Sequence, residues 1–170
     1  MAQRSENDPN DASIPDGKGR KFGIIVSDWN NAITDKLLEG CSAVLLSHGV
    51  IDSDIRTIRV PGSFELPMGA KILLGREKFD ALICLGCVIK GETKHDEYIS
   101  QAVANGCMQL SLVSNTPVIF GVLTLNTYEQ ALERAGGSHG NKGSEAAEAA
   151  LRMAELRRQA GSAPHKIGFS

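Results

Sequence analysis

The sequence predicts an α/β fold: a three-layer α/β/α sandwich around a parallel sheet of about four strands. Strand-like and helix-like segments alternate along the chain, the pattern of parallel strands joined by right-handed helical crossovers. The stretch ALICLGCVI at 81–89 is apolar almost throughout, as a strand is when helices cover both faces of its sheet. Glycine, proline and short polar residues stand at the segment boundaries, where turns and helix caps need them.

Taken in order, KFGIIV at 21–26 is a short apolar run ending at Ser27-Asp28-Trp29-Asn30, hence a strand and then a loop. Residues 31–48 carry Ile33, Leu37, Cys41, Val44 and Leu45 at helical spacing, and Gly49 stops that helix. IRTIRV at 55–60 is a second strand, closed by Pro61-Gly62. A second helix spans 64–74, with Ser63 as its N-cap and Pro67 tolerable near the first turn. After the strand at 81–89, Thr93 and Asp96 form a T-x-x-D start signal for a third helix running to Asn115. PVIFGVLT at 117–124 is the fourth strand. Thr127 and Gln130 have capping-box spacing for the next helix, which ends at Gly136-Gly137, and a last helix covers 144–159.

One domain is expected over 21–159. Residues 1–20 lack the apolar core of a signal peptide and read as a flexible N-terminal arm, with a flexible C-terminal tail at 160–170. A net charge of -2 offers no basic surplus for nucleic acid or an anionic membrane. No stretch approaches the roughly 20 apolar residues of a membrane span. The cytoplasm is therefore the expected location. Cys84 and Cys87 have C-x-x-C spacing. Inside a strand, however, positions three apart point to opposite faces, and no further ligands stand at zinc spacing. Packing thiols and no metal site are expected.

Ligands of open α/β sheets bind beyond the carboxyl ends of the strands, so the loops there carry the functional reading. The first holds Trp29, the only tryptophan, beside Asn30. An indole at a strand end can stack on a flat heterocycle or fold back onto the core. The second is Pro61-Gly62-Ser63-Phe64-Glu65. Its amides can donate and the Glu65 carboxylate can accept, which suits a polyol; the plainer role of Glu65 is to favour a helix N-terminus. The third, GCVIKGETKH at 86–95, spaces two glycines as in a P-loop but has Glu92-Thr93 where Lys-Ser/Thr is required. It still suits an anion through free N–H groups at a helix start. His95 falls in that first turn, where the positive helix end favours a neutral imidazole able to accept a proton. Beyond the fourth strand, Arg134 and Lys142 flank a glycine-rich bend and can clamp a phosphate or stand as solvated cations.

At these residues the chain resembles the lumazine synthase family. The match runs over about 22–156 and rests on SDWN at 27–30, RVPGSFELP at 59–67, GCVIKGETKHDEY at 86–98, FGVLTLNTYEQALERAG at 120–136 and GNKG at 140–143, all in order. The resemblance implies a flavodoxin-like fold and a transferase of riboflavin biosynthesis. This enzyme condenses 5-amino-6-(D-ribitylamino)uracil with 3,4-dihydroxy-2-butanone 4-phosphate. The product is 6,7-dimethyl-8-ribityllumazine, with phosphate and water released and no cofactor used. By the same resemblance, Trp29 stacks on the pyrimidine with Asn30 beside it. Ser63, Phe64 and Glu65 bind the ribityl chain, and Cys87, Val88 and Ile89 line the pyrimidine site. Glu92 and Thr93 hold phosphate, and His95 transfers protons. Phe120, Arg134 and Lys142 match residues that a neighbouring subunit supplies. One departure stands out: Gly137-Ser138-His139 occupies positions where the family often has Thr-Lys-Ala.

The implied assembly is a homo-oligomer of pentamers with shared active sites. The short bend at 136–143 resembles that of members that close into an icosahedral shell, whereas Phe120 at a strand end is expected to be an exposed apolar patch without a neighbour. The resemblance leaves association with a riboflavin synthase open. Two rival readings use the same residues, a non-catalytic flavin-binding module and a shell-forming scaffold. His95 together with Arg134 and Lys142 separates the enzyme from both, because a passive binder need not surround a second small substrate with them.

Overall fold

A computed structural model describes residues 13–162. Four parallel strands form the sheet: β1 (Phe22–Ser27), β2 (Ile55–Val60), β3 (Ala81–Ile89) and β4 (Val118–Leu125), in the order β2-β1-β3-β4. The connecting helices are α1 (Asn31–Ser47), α2 (Leu66–Leu74) and α3 (His95–Ser114). They are followed by α4 (Tyr128–Glu133) and α5 (Lys142–Ser162). The fold class read from the sequence is the one observed.

Alternation along the strands divides the core in two. Phe22, Ile24 and Val26 of β1 join Ile83, Leu85 and Cys87 of β3 under α1 and α5, packing on Ile33, Leu37, Leu45 and Leu151. Ile25, Leu82, Cys84 and Val88 point the other way, onto Leu66, Leu73, Val103 and Cys107 of α2 and α3. Cys84 and Cys87 thus lie in opposite layers, as a three-residue step along a strand requires. All four cysteines are buried free thiols. Burial pushes the Cys41 thiol up to about 12 and the Cys87 thiol up to about 11, so both stay protonated near neutral pH.

The structure corrects several local expectations. The segment 63–65 is a 3-10 turn and α2 begins only at Leu66, with Pro67 in its first turn. Ser63 does not cap a helix: its Oγ is buried without a hydrogen-bond partner. Thr93 does not cap α3 either. That helix starts at His95, its N-cap position is Lys94, and no side chain caps it. The Thr127–Gln130 capping box does form, and both reciprocal hydrogen bonds are present. The glycine-rich bend folds into a small antiparallel hairpin, β5 (Ala135–Gly137) and β6 (Gly140–Asn141). Consequently α4 ends at Glu133, before the two glycines, and α5 begins two residues before the expected start.

Both ends of the domain differ from their boundaries in the sequence. Residues 13–20, read as part of a flexible arm, lie against the domain. Ile14 packs on the α1/α5 core, the Gly17 amide donates to the His48 carbonyl at 2.7 Å, and Arg20 is ion-paired with Glu155 of α5. Arg158, Gln159 and Arg20 hold the Glu155 carboxyl down to about 2. Residues 1–12 and 163–170, the rest of the expected arm and most of the expected tail, are outside the described residues. Among the described residues no helix is long and apolar enough to cross a membrane.

The start of α5 is anchored on α1 by close backbone approach. Asn141 Nδ2 donates to the Lys36 carbonyl at 2.9 Å, and Asn141 Oδ1 accepts from the Gly143 and Ser144 amides. A Cβ on Gly143 would stand 1.9 Å from the Leu37 carbonyl oxygen. Backbone cannot yield as a side-chain tip can, so any substitution must separate α1 from α5. Gly143→Ala is expected to cost about 3 kcal/mol, the upper range for overpacking. Denaturant titration checks this, and a loss below about 1 kcal/mol would refute the close-approach argument.

Candidate active site

The strand order reverses between β1 and β3, and the crevice beyond their carboxyl ends is the site. There a cleft of about 580 Å³ opens. Each of its walls follows a strand. Trp29 and Asn30 come from the β1 loop, Pro61 to Glu65 from the β2 loop, and Cys87, Val88 and Ile89 from the end of β3. Gly91 and Thr93 of the next loop and His95, Asp96 and Ile99 of α3 complete it; the sequence reading did not place Asp96 or Ile99 there.

Hydrogen bonds between loops hold the β1 wall. Asn30 takes a left-handed conformation with φ 61°, which asparagine tolerates better than most residues. Its Nδ2 donates to the Cys87 carbonyl at 3.1 Å, joining the β1 loop to β3. The Asp28 and Trp29 amides donate to the Val60 and Pro61 carbonyls, so β1 and β2 stay paired past their ends. Arg59 spans the outside of this junction and donates to both Asp28 and Asp35. Those hydrogen bonds, to Asp35 first and then Asp28, raise its pKa. Sequence reading missed this bridge. Its only signal was the arginine heading RVPGSFELP, with two carboxylates nearby in the preceding loop and helix. With the backbone fixed, the Trp29 ring projects outward at 72% exposure, so it does not fold back onto the core.

The β2 wall depends on two glycines. Gly86 of β3 lies against the 63–65 turn: a Cβ there would meet Ser63 Oγ at 2.6 Å and Leu66 Cδ1 at 2.9 Å. Glycine at 86 therefore serves packing of the turn onto β3, and not a P-loop. Gly62 leaves room for the Glu65 carboxylate, whose Oε2 would stand 3.1 Å from an added Cβ. Phe64 is exposed at 58% and Glu65 is half-buried beside it. An aromatic ring, a carboxylate acceptor and an unsatisfied buried hydroxyl therefore share one turn.

On the third wall, Thr93 and His95 line the cleft and His95 is solvent-exposed. Glu92 belongs to the same loop but does not line the cleft. Phe120, Arg134 and Lys142 do not line it either. Phe120 is the third residue of β4, near its beginning and not at the strand end that was expected. There it is half-buried against the α2/α3 core, paired in register with Cys84. Arg134 and Lys142 lie together at the hairpin, the Lys142 amide donating to the Arg134 carbonyl at 2.9 Å. Both side chains reach Glu145, a residue the sequence reading passed over. Among the described residues, no group of three or more His, Cys, Asp or Glu side chains is placed to hold a metal ion.

A doubly wound α/β domain with an exposed indole, a polar turn and an imidazole at its switch point has the form of a small-ligand site. Comparison with known proteins narrows this. The sequence profile of 6,7-dimethyl-8-ribityllumazine synthase matches residues 19–158. The 6,7-dimethyl-8-ribityllumazine synthase of Cytophaga hutchinsonii is 53% identical over 140 residues, 82% of this chain and 88% of that protein. The synthase of Porphyromonas gingivalis is 49% identical over 146 residues, 86% of this chain and 91% of that one. That of Flavobacterium psychrophilum is 46% identical over 154 residues, 91% and 82% of the two chains. The chain belongs to the 6,7-dimethyl-8-ribityllumazine synthase family, transferases of riboflavin biosynthesis.

The single tryptophan gives this site an optical probe. An exposed indole that becomes stacked on a bound pyrimidine changes its emission. Titration with a ribitylaminopyrimidine should quench Trp29 fluorescence saturably. Unchanged emission with binding shown by calorimetry would place the ring outside the binding surface.

Proposed function

We propose that the cleft binds the ribitylaminopyrimidine of the family reaction and condenses it with the phosphorylated butanone. Convergence carries this reading: side chains from three separate strand-end loops meet in one crevice, and their chemistry matches one ligand. Trp29 and the Cys87 to Ile89 edge face the flat ring. The Ser63, Phe64 and Glu65 turn offers donors and an acceptor to the ribityl chain. Thr93 and the loop amides beside Glu92 take phosphate near the start of α3, and His95 moves protons between amine, ketone and leaving groups. The ring amine attacks the ketone and water leaves as an imine forms. Phosphate is then eliminated, and ring closure releases a second water. One imidazole acting in both directions suits these steps, and holding two reactants together supplies much of the acceleration. The residues are proposed to work without a cofactor.

The assigned phosphate cations lie away from this cleft, so the proposed catalytic unit is an oligomer in which Phe120, Arg134 and Lys142 complete a neighbouring copy's site. The surface favours such an assembly. Met68 and Ile72 of α2 and Met108, Leu112 and Val113 of α3 are all exposed, Leu112 at 75% and Val113 at 87%. These helices lie side by side, a Cβ on Gly106 standing 2.8 Å from Pro67 Cγ. Large apolar surface of this kind marks an association face, and repeated head-to-tail contacts close into rings. Pentamers, which can close further into an icosahedral shell, are the proposed form. Four free thiols fit a reducing location, and the cytoplasm is the proposed address.

Two measurements test this reading. His95→Ala should slow lumazine formation by roughly 100- to 10,000-fold without abolishing it, and an unchanged rate in a folded variant removes His95 from the chemistry. Mixing His95→Ala with Arg134→Ala subunits under exchanging conditions should restore activity above the mean of the two parents, because some interfaces then combine both intact halves. Verified mixing without recovery would count against sites shared between chains.

A further inference from the structure

Two cations assigned to one phosphate already hold an anion within the chain. Glu145 stands in the first turn of α5. Arg134 Nη2 lies 3.2 Å from its Oε1 and donates to its Oε2 at 3.4 Å, while Lys142 Nζ donates to the same Oε2 at 3.2 Å. Charge-assisted hydrogen bonds held by one partner close to about 2.7–2.9 Å. Both cations meet this carboxylate at longer range than that, and both reach its Oε2. Glu145 is also reachable, its side chain 41% exposed against 20% for Arg134 and 24% for Lys142.

Arg134 has a second anchor that does not involve Glu145. Its Nη1 donates to the His139 carbonyl at 2.9 Å. The His139 amide in turn donates to the Glu133 carbonyl at 3.0 Å, and the Ser138 amide and hydroxyl both donate to the Glu133 carboxylate. Those bonds hold the Glu133 carboxyl below its usual range. The unusual Ser138-His139 pair thus fixes the hairpin that aims the guanidinium. Arg134 is braced on one side by backbone and faces a shared, partly exposed carboxylate on the other.

We propose that Glu145 is a positioning residue that acts as resident counter-ion of the phosphate clamp, occupying Arg134 and Lys142 when phosphate is absent and yielding them when it arrives. This inference rests on the assignment of those cations to phosphate. Before phosphate binds, the trio carries one net positive charge, since one carboxylate faces two cations. Phosphate presents the same type of acceptor oxygen, so the donors aimed at Glu145 can turn to it without new geometry. When phosphate leaves as product, the carboxylate takes back both cations, and neither is left unpaired. Binding and release are then an exchange of anions, and phosphate is held less tightly than two unopposed cations would hold it.

Inorganic phosphate is the probe, measured by calorimetry and as an inhibitor competing with the phosphorylated ketone. Glu145→Gln keeps the shape and a hydrogen-bonding oxygen but removes the charge. It should tighten phosphate binding and inhibition about tenfold, in the direction that removing one nearby negative charge requires. The KM for the ribitylaminopyrimidine should stay within twofold of the parent's. Glu145→Asp, which keeps the charge, should bind phosphate within about twofold of the parent. Phosphate binding that is unchanged or weaker in Glu145→Gln overturns the inference, as does equal behaviour of the Gln and Asp variants. Arg134→Ala separates the two levels of the argument. If it leaves phosphate binding at the parental value, the clamp assignment itself fails. If it weakens binding while Glu145→Gln does not tighten it, only the exchange fails.

Discussion

Burial of a parallel sheet on both faces governs this molecule. Parallel strands cannot be joined by tight turns, so each connection must climb over the sheet, and a helix does this while covering apolar side chains. With the order β2-β1-β3-β4, the crossovers diverge at β1 and β3. The loops on either side therefore splay apart at the carboxyl ends. The crevice that results is a by-product of topology. Its contents were then placed by short-range contacts: Asn30 on the Cys87 carbonyl, and the 63–65 turn resting on Gly86.

Much of this was legible because it depends on local chemistry. The strand at 81–89 showed itself by unbroken apolarity, and the placement of Cys84 and Cys87 in opposite layers followed from strand geometry. Thr127 and Gln130 were readable because a capping box is completed within four residues. Thr93 and Asp96 have similar spacing, yet the backbone there keeps Thr93 in the loop against the cleft, so a pattern that is sufficient in one place is only decorative in another. Ser63 illustrates the same limit. Its position before a helical segment suggests a cap, whereas the close approach of β3 turns 63–65 into a tighter turn with the hydroxyl enclosed.

What the sequence hid depends on pairs distant along the chain. Little in the local sequence announces that Arg59 will reach Asp28 and Asp35, and although Lys142 and Glu145 are neighbours on one helix turn, nothing there announces that Arg134 will join them across the hairpin. The hairpin between α4 and α5 was similarly concealed: its strands are three and two residues long, too short for alternation to register. Phe120 was misplaced because a strand's apolar residues do not announce which end of it meets the site. The surface of α2 and α3 is a case where the chain's own packing leaves apolar side chains outside, and the sequence periodicity does not separate a core face from an exposed apolar one.

The contact between Arg20 and Glu155 joins positions 135 residues apart. It brings the segment leading into β1 against the final helix, and so ties the entry of the first strand to the last element of the described domain. A chain break at the exposed turn of Gly75 and Arg76, between α2 and β3, would leave this tie in place and touch neither the cleft nor the hairpin.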